Sequence, residues 1–413
     1  MLQSDQKLRH LPFFEEVAGL EADSAEERAA TAGLVTLRLV DAWLDGALWF
    51  KEDDWSVPNV HKAIRAMDKG TTMRGMLLRI VDVVRARKPD IHAVVTTLMA
   101  YAQALEYDAK WLLAGDVYQT LLAHLHPIED SEASIAAHLR LATCYRSLMQ
   151  VEHAVEAFAS AARIGHAAGD MVGVLRARIG EAQIAWLRGN LPHAETLLDE
   201  TIAQTKGNED LRAVRSRALQ DRSAVAILSG QYELGIRLAY DALAHPASSM
   251  ERDRILNNIA SAFTHLGVYS AARDAYLVLS ATSQEQYMRW TATLNLIDVS
   301  SLTGAEVLFE QLRREMLVQD LPPQLATEFE LIQGSGFLRF GKGELARDHL
   351  NRAAALAAEF GLNQILFEAE AAMSSLNAPT PPHRVSAEMP LEVEEVASAI
   401  RELRHSVAEP GKA

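Results

Sequence analysis

The stretch GEAQIAWLRGNLPHAETLLDETI, residues 180–202, breaks two alanine- and leucine-rich runs with a Gly-Asn pair. Ile179, Ala182, Ala185 and Trp186 recur at helical spacing before the break, and Ala194, Leu197, Leu198 and Ile202 after it. Gly189 suits the left-handed conformation that ends a helix, because it has no Cβ to clash. Pro192 suits the first turn of the next helix, where its missing N–H costs nothing. The stretch reads as an αα-hairpin, with the small residues Ala182 and Ala194 on facing sides so that the two backbones approach closely.

The pattern repeats with Ala194 as a ruler mark. Gly189 lies five residues before it and Leu198 four after. The mark recurs at Ala154, with Met149 in the turn, Phe158 after it, and Ala142 and Tyr145 before it. It recurs at Gly235 with Gly230 in the turn, and at Ala272 with Gly267 in the turn and Tyr276 after it. Weaker copies fall at Ala114 with Tyr118, Ala305 with Phe309, and Ala346 with Gly341 and Leu350. The separations are 40, 40, 41, 37, 33 and 41 residues. One hairpin cannot bury both of its faces, so repeats must stack into a continuous core. A small rotation per repeat then makes a curved superhelix with a concave groove.

This pattern resembles the tetratricopeptide (TPR) superfamily, in which a small residue of helix A meets an Ala of helix B, with a Gly near the turn. LATCYRSLMQVEHAVEAFASA and ILNNIASAFTHLGVYSAARDAY carry it best. The long, irregular repeats are similar to those of bacterial maltose-regulator-type activators and quorum-sensing peptide receptors. The resemblance implies an all-α, right-handed TPR-like α-solenoid. It spans residues 93–376 in about seven repeats, after an N-terminal helical cap at 1–92.

Composition agrees with a helical chain. Aromatics are 6%, whereas Ala and Leu are abundant. The net charge of −15 opposes non-specific binding to nucleic acid or anionic lipid, so neither a nucleic acid nor a membrane is expected as partner. The single cysteine, Cys144, excludes an intrachain disulfide and fits a reducing compartment. The start lacks the apolar core of a signal peptide, and no run is long enough to span a bilayer, so a cytoplasmic location is expected.

Before the repeats, Ser24 and Glu27 form a capping box for a helix running to about Phe50. Pro58 opens a short helix that Gly70 closes, and Thr71 or Thr72 starts another. Trp43, Trp49 and Trp55 cluster here, either covering the open end of the solenoid or docking a partner. After the repeats, residues 377–390 are proline-rich and read as a linker. In the helix expected at 391–408, Val393, Val396, Ile400 and Leu403 form one apolar stripe. It folds back on the last repeat, or docks on another protein or a second copy to give a homodimer.

The chemical motifs are weak. GFLRFGKG, residues 336–343, matches a phosphate-binding loop except that Gly343 stands where Ser or Thr must hold Mg²⁺. His124 and His126 sit two apart, on different faces of a helix, and Cys144 has no local base partner. Residues 51–88 carry an excess of positive charge, but Met73, Met76, Leu77, Leu78, Ile80 and Val81 read as core rather than as a DNA-reading helix. No enzyme, cofactor or metal is expected.

The resemblance implies that helix A lines the groove. Carried onto this chain, its positions give Arg176, Arg217 and Arg254 in three successive repeats. Gln220, Asn257 and Trp290 follow at a second position, Gln183 and Ser261 at a third, and Arg146 and Trp186 at a fourth. Guanidinium forks hold carboxylates and side-chain amides bond a peptide backbone, so an acidic, extended protein or peptide partner is expected. Alternatively the arginines pair with Glu195, Glu209, Asp210 or Asp253. The functional expectation is a non-enzymatic binding scaffold or adaptor. The alternative is a sensor acting in transcription control through a partner or ligand.

Overall fold

The computed structural model describes residues 9–45, 56–86, 90–243, 248–376 and 391–408. Trp49, Trp55, the expected helix end near Phe50 and the proline-rich stretch lie outside them. The helices are α1 (Leu11–Gly19), α2 (Ala25–Leu44), α3 (Ser56–Ala66), α4 (Thr72–Val84), α5 (Ile91–Tyr107), α6 (Trp111–His124) and α7 (Ser131–Ser147). Then come α8 (Val151–Ala168), α9 (Met171–Leu187), α10 (Leu191–Thr205), α11 (Arg212–Leu228), α12 (Tyr232–Leu243), α13 (Ser249–His265) and α14 (Tyr269–Thr282). The last are α15 (Gln286–Leu302), α16 (Glu306–Met316), α17 (Pro323–Arg339), α18 (Gly343–Phe360), α19 (Asn363–Ser375) and α20 (Leu391–Ala408). No strand occurs among the described residues. The fold is an all-α stack of helical hairpins of the TPR kind.

The register is tighter than the sequence suggests. In the α5/α6 hairpin and the six that follow, the residue five before the mark takes a positive φ: Ala109, Met149, Gly189, Gly230, Gly267, Gly304 and Gly341. The next backbone N–H donates back into the first helix, as Asn190 does to the Ala185 carbonyl at 2.9 Å and Val268 to that of Phe263 at 2.8 Å. This is a repeated Schellman-type stop. Measured from these turns, one mark moves. Ala305 caps the N-terminus of α16 and is only half-buried, whereas Phe309 is fully buried four residues on. With Phe309 as the mark, the last three separations all become 37 residues.

Small residues set the distance across each hairpin. Ala102, Ala142, Ala182, Ser223 and Ala260 lie twelve residues before their marks and are fully buried. The α15/α16 hairpin instead pairs Ile297 with Phe309, and the space comes from the neighbouring helix. A Cβ on Gly336 of α17 would come within 2.4 Å of the Phe309 ring. The Gly-x-x-x-x-Gly-Lys segment is thus spent on packing. Gly341 makes the left-handed turn at φ 73°, and Lys342 pairs with Glu306 at 2.6 Å.

The chain divides into two compact units, residues 1–145 with 159–170, and residues 146–158 with 171–413. In the first, α1 packs on α2 and α6, and Phe13 is fully buried over Gly33, where a Cβ would sit 2.5 Å from both Phe13 and the Tyr101 hydroxyl. The Ser24 hydroxyl accepts from the Glu27 N–H, as the capping box requires. Leu77, Ile80 and Val81 of α4 are core. His10, at φ 60°, pins the start of α1: its Nδ1 lies 2.9 Å from Asp116 and its Nε2 3.3 Å from Asp41. Burial opposes a charge on this imidazole, but hydrogen bonds and the negative charges of Asp116 and Asp41 outweigh it and raise its pKa to about 9.

In the second unit, apolar clusters run without a break along α9–α11, α11–α15 and α15–α18. The curve then returns on itself. Leu362 and Ile365 of the α18–α19 end pack with Leu187, Met149 and Val151. Asn363 Nδ2 donates to the Arg188 carbonyl at 3.0 Å, beside Gly189. The C-terminal helix does not fold onto the last repeat. It lies on α14, burying Ala397 and Ile400, with Arg404 2.6 Å from Asp274. The side chains of Val393 and Leu403 lie outside the description.

Two outcomes follow from these contacts. Ala272→Leu should destabilise the protein by about 1–3 kcal/mol through overpacking, while Ala305→Leu leaves the melting temperature nearly unchanged; equal effects would contradict the register. The His10 contribution, about 3 kcal/mol, should be complete below pH 6.5 and disappear as pH rises through 9, because the folded state holds the extra proton. Thermal melts across that range should show the loss in the parent protein and not in His10→Asn.

Candidate functional site

In the second unit, helix A of successive hairpins carries a row of polar and charged residues at one register position. Eighteen residues before the corrected marks stand Arg176 on α9, Arg217 on α11, Arg254 on α13, Thr291 on α15 and Glu328 on α17. Equivalent positions on stacked helices share a face, so this row descends one wall of the curve.

The arginines differ in their surroundings. Arg176 is exposed. Arg217, 23% exposed, reaches the fully buried Asp221 one turn on at 3.4 Å, and Asp221 also accepts from Gln183 Nε2 at 2.7 Å. Arg254 donates from one nitrogen to both oxygens of Glu285, at 2.8 and 3.2 Å. These partners lie one turn along the same helix and at the start of α15. Glu195, the partner considered from sequence, instead holds Arg222 together with Asp199.

Arg146, in the last turn of α7, has no ion-pair partner among the described residues, and its Nε is buried without a hydrogen bond. Burial pushes its pKa down, the charges of Arg254 and Arg217 push the same way, and Tyr287 and Asp221 oppose them. Burial likewise lowers Arg217, with Arg254 adding to the effect against Asp221. Three guanidinium groups from different turns of the curve are thus close enough to repel one another. They are crowded against one buried carboxylate and one partly buried one.

The other expected groove residues take several roles. Gln220 is buried, its Oε1 has no hydrogen bond, and its carbonyl accepts from Asn258 Nδ2 at 2.8 Å. Asn257 Oδ1 accepts from Asn295 Nδ2 at 3.3 Å, and Ser261 shares a hydrogen bond with the Tyr276 hydroxyl. Trp186 packs where the curve returns on itself. Trp290 donates to Gln319 Oε1 at 3.3 Å and packs in the cluster around Phe309. Once the mark moves to Phe309, Leu294 takes the register that Trp290 held in the sequence reading.

Four groups were missed: Asp221, Glu285, Tyr287 and Glu328. Glu328 had a signal, since it stands in the arginine register relative to Ala346. Its carboxyl is raised to about 7 by burial, with Glu368 adding and a hydrogen bond from Gln324 Nε2 at 2.9 Å opposing. Tyr287 is raised by burial too, and it feels Glu328 and Glu285 on one side and Arg146 and Arg254 on the other. Tyr287 thus lies within electrostatic reach of both the cationic and the acidic groups.

The remaining residues singled out from the sequence lie elsewhere. Cys144 is buried on α7. His124 lies 3.7 Å from Asp41, and His126 serves its own loop by accepting from the Glu129 N–H. No grouping that could hold a metal ion occurs among the described residues, and none of their helices is long and apolar enough to cross a membrane.

No protein-family model and no curated protein matches the chain. Among solved structures it is similar to a tetratricopeptide repeat protein from Parabacteroides merdae, at 12% identity and TM-score 0.38, over 67% of this chain and 98% of that one. It is also similar to a Rap protein complexed with competence and sporulation factor, at 12% identity and TM-score 0.36, over 92% and 100%. A third is the Rap conjugation gene regulator of plasmid pLS20 in complex with the Phr* peptide, at 11% identity and TM-score 0.37, over 86% and 99%. At TM-scores below 0.5 these likenesses support no conclusion about this chain. The hairpin register itself makes this chain a TPR-like repeat protein.

Proposed function

We propose that this protein is a non-enzymatic adaptor that takes an acidic, extended peptide or protein segment against the inner face of its second unit. The observation that carries the reading is Arg146. A partly buried cation whose Nε is closed off from water, without an ion pair among the described residues and next to two more cations, costs folding free energy. A carboxylate-bearing ligand offsets that cost and accepts charge-assisted hydrogen bonds.

A purely structural role predicts the opposite pattern. Arg217 and Arg254 already hold carboxylates, so their removal mixes binding with folding. Arg146 separates the two. In titration calorimetry with synthetic acidic peptides, Arg146→Met should weaken binding by about 1.5–3 kcal/mol and leave the melting temperature unchanged or higher. Unchanged affinity with a lowered melting temperature would make Arg146 a packing residue and remove the support for the proposal.

A further inference from the structure

We propose that the ligand is a short dipolar peptide held at both ends, its carboxylate by Arg146, Arg217 and Arg254 and its primary ammonium by Glu328. This rests on the peptide-binding reading above and adds the second pole. The acidic pole comes from the same register that places the arginines. Going down the row, Arg217 and Arg254 are followed by neutral Thr291 and then by Glu328. One wall of the interior thus changes sign within two helix steps.

Glu328 is not spent on the fold. Among the described residues no cation pairs with it, and its one hydrogen bond comes from Gln324 on its own helix. Its charged neighbour is Glu368 of α19, another carboxylate. A half-buried acid beside a like charge is uncomfortable as an anion, and an arriving ammonium relieves both burdens. Tyr287 lies within electrostatic reach of both poles, so the two ends of one small molecule can be engaged together. Neighbouring inner helices stand roughly 10 Å apart, which puts Glu328 about 20 Å along the wall from Arg254, the span of roughly six extended residues.

The ammonium can be a peptide N-terminus or a lysine side chain, and the test separates them. Full-length protein is equilibrated with a synthetic pool of short random peptides with free termini, and retained sequences are read by ultrafiltration and mass spectrometry. The best sequence is then remade with an acetylated N-terminus and, separately, with any lysine replaced by norleucine. The proposal expects one of these changes to weaken binding roughly tenfold or more in the parent protein and to have little effect in Glu328→Gln. Loss on acetylation assigns the N-terminus, and loss on lysine replacement assigns the side chain. Tight binding of both altered peptides, with Glu328→Gln indistinguishable from the parent, overturns the acidic pole while peptide binding itself survives. If the parent retains no peptide, the peptide-binding reading falls and this inference with it. Circular dichroism of Glu328→Gln guards against a folding artefact, and Glu328→Asp should restore part of the preference.

Discussion

Each hairpin stands on the close approach of two helices across small side chains, locked by a turn residue in the left-handed region. A leucine in place of Ala182 or Ala260 would hold the backbones apart by the width of its side chain, and every following repeat would tilt. Because each repeat contacts mainly its neighbours, small local rotations accumulate along the stack. The positions of Arg217, Arg254 and Glu328 in the interior are therefore set by apolar contacts on the other side of their own helices. The Ile297–Phe309 pair shows how strict the requirement is. Where the hairpin carries large residues, a glycine on the next helix makes room.

The return of the curve onto itself has an electrostatic consequence. An open arc would leave the inner charges in high-dielectric solvent, where cations at such separations interact weakly. In the second unit the α18–α19 end meets the turn after α9, so the inner wall surrounds a restricted space. Burial there is strong enough to lower two arginines, raise Glu328 and raise Tyr287. Partly buried charges of this kind are a liability in an empty scaffold and an asset in a binding site. The first unit handles its charge differently. His10 is enclosed by two aspartates that balance its charge, and the result is a fixed attachment of α1.

Much of this was legible in the residues, since hairpin stacking depends on short-range spacing. Six of the seven ruler marks are buried as expected. The seventh failed because Ala305 offered a small residue four positions too early, and a phenylalanine at a small-residue position has no sequence signature without its glycine partner, Gly336. The capping box at Ser24 was readable because it is local. The seat of α20 on α14 was not, because amphipathicity tells which face is buried and says nothing of the surface that receives it. The arginine register was readable from the repeat as a set of helix-A positions. Its partners Asp221 and Glu285, and its change of sign at Glu328, needed the structure to show which charges face one another.

The central claim is that the second unit closes on itself and so makes the inner charges converge. A cysteine pair tests this directly. A Cβ on Gly189 would lie 3.4 Å from that of Asn363, near the separation a disulfide bridges, and the native Cys144 is buried. Gly189→Cys with Asn363→Cys accepts a left-handed cysteine at roughly 1–2 kcal/mol, which the stack can bear. Mild oxidation of the double variant should give a nearly complete intramolecular bridge, seen as two thiols lost to alkylation and a faster-migrating band, with helicity unchanged. Two thiols that stay freely alkylated under oxidation, in a protein of native helicity, would show that the curve is open and would contradict the account.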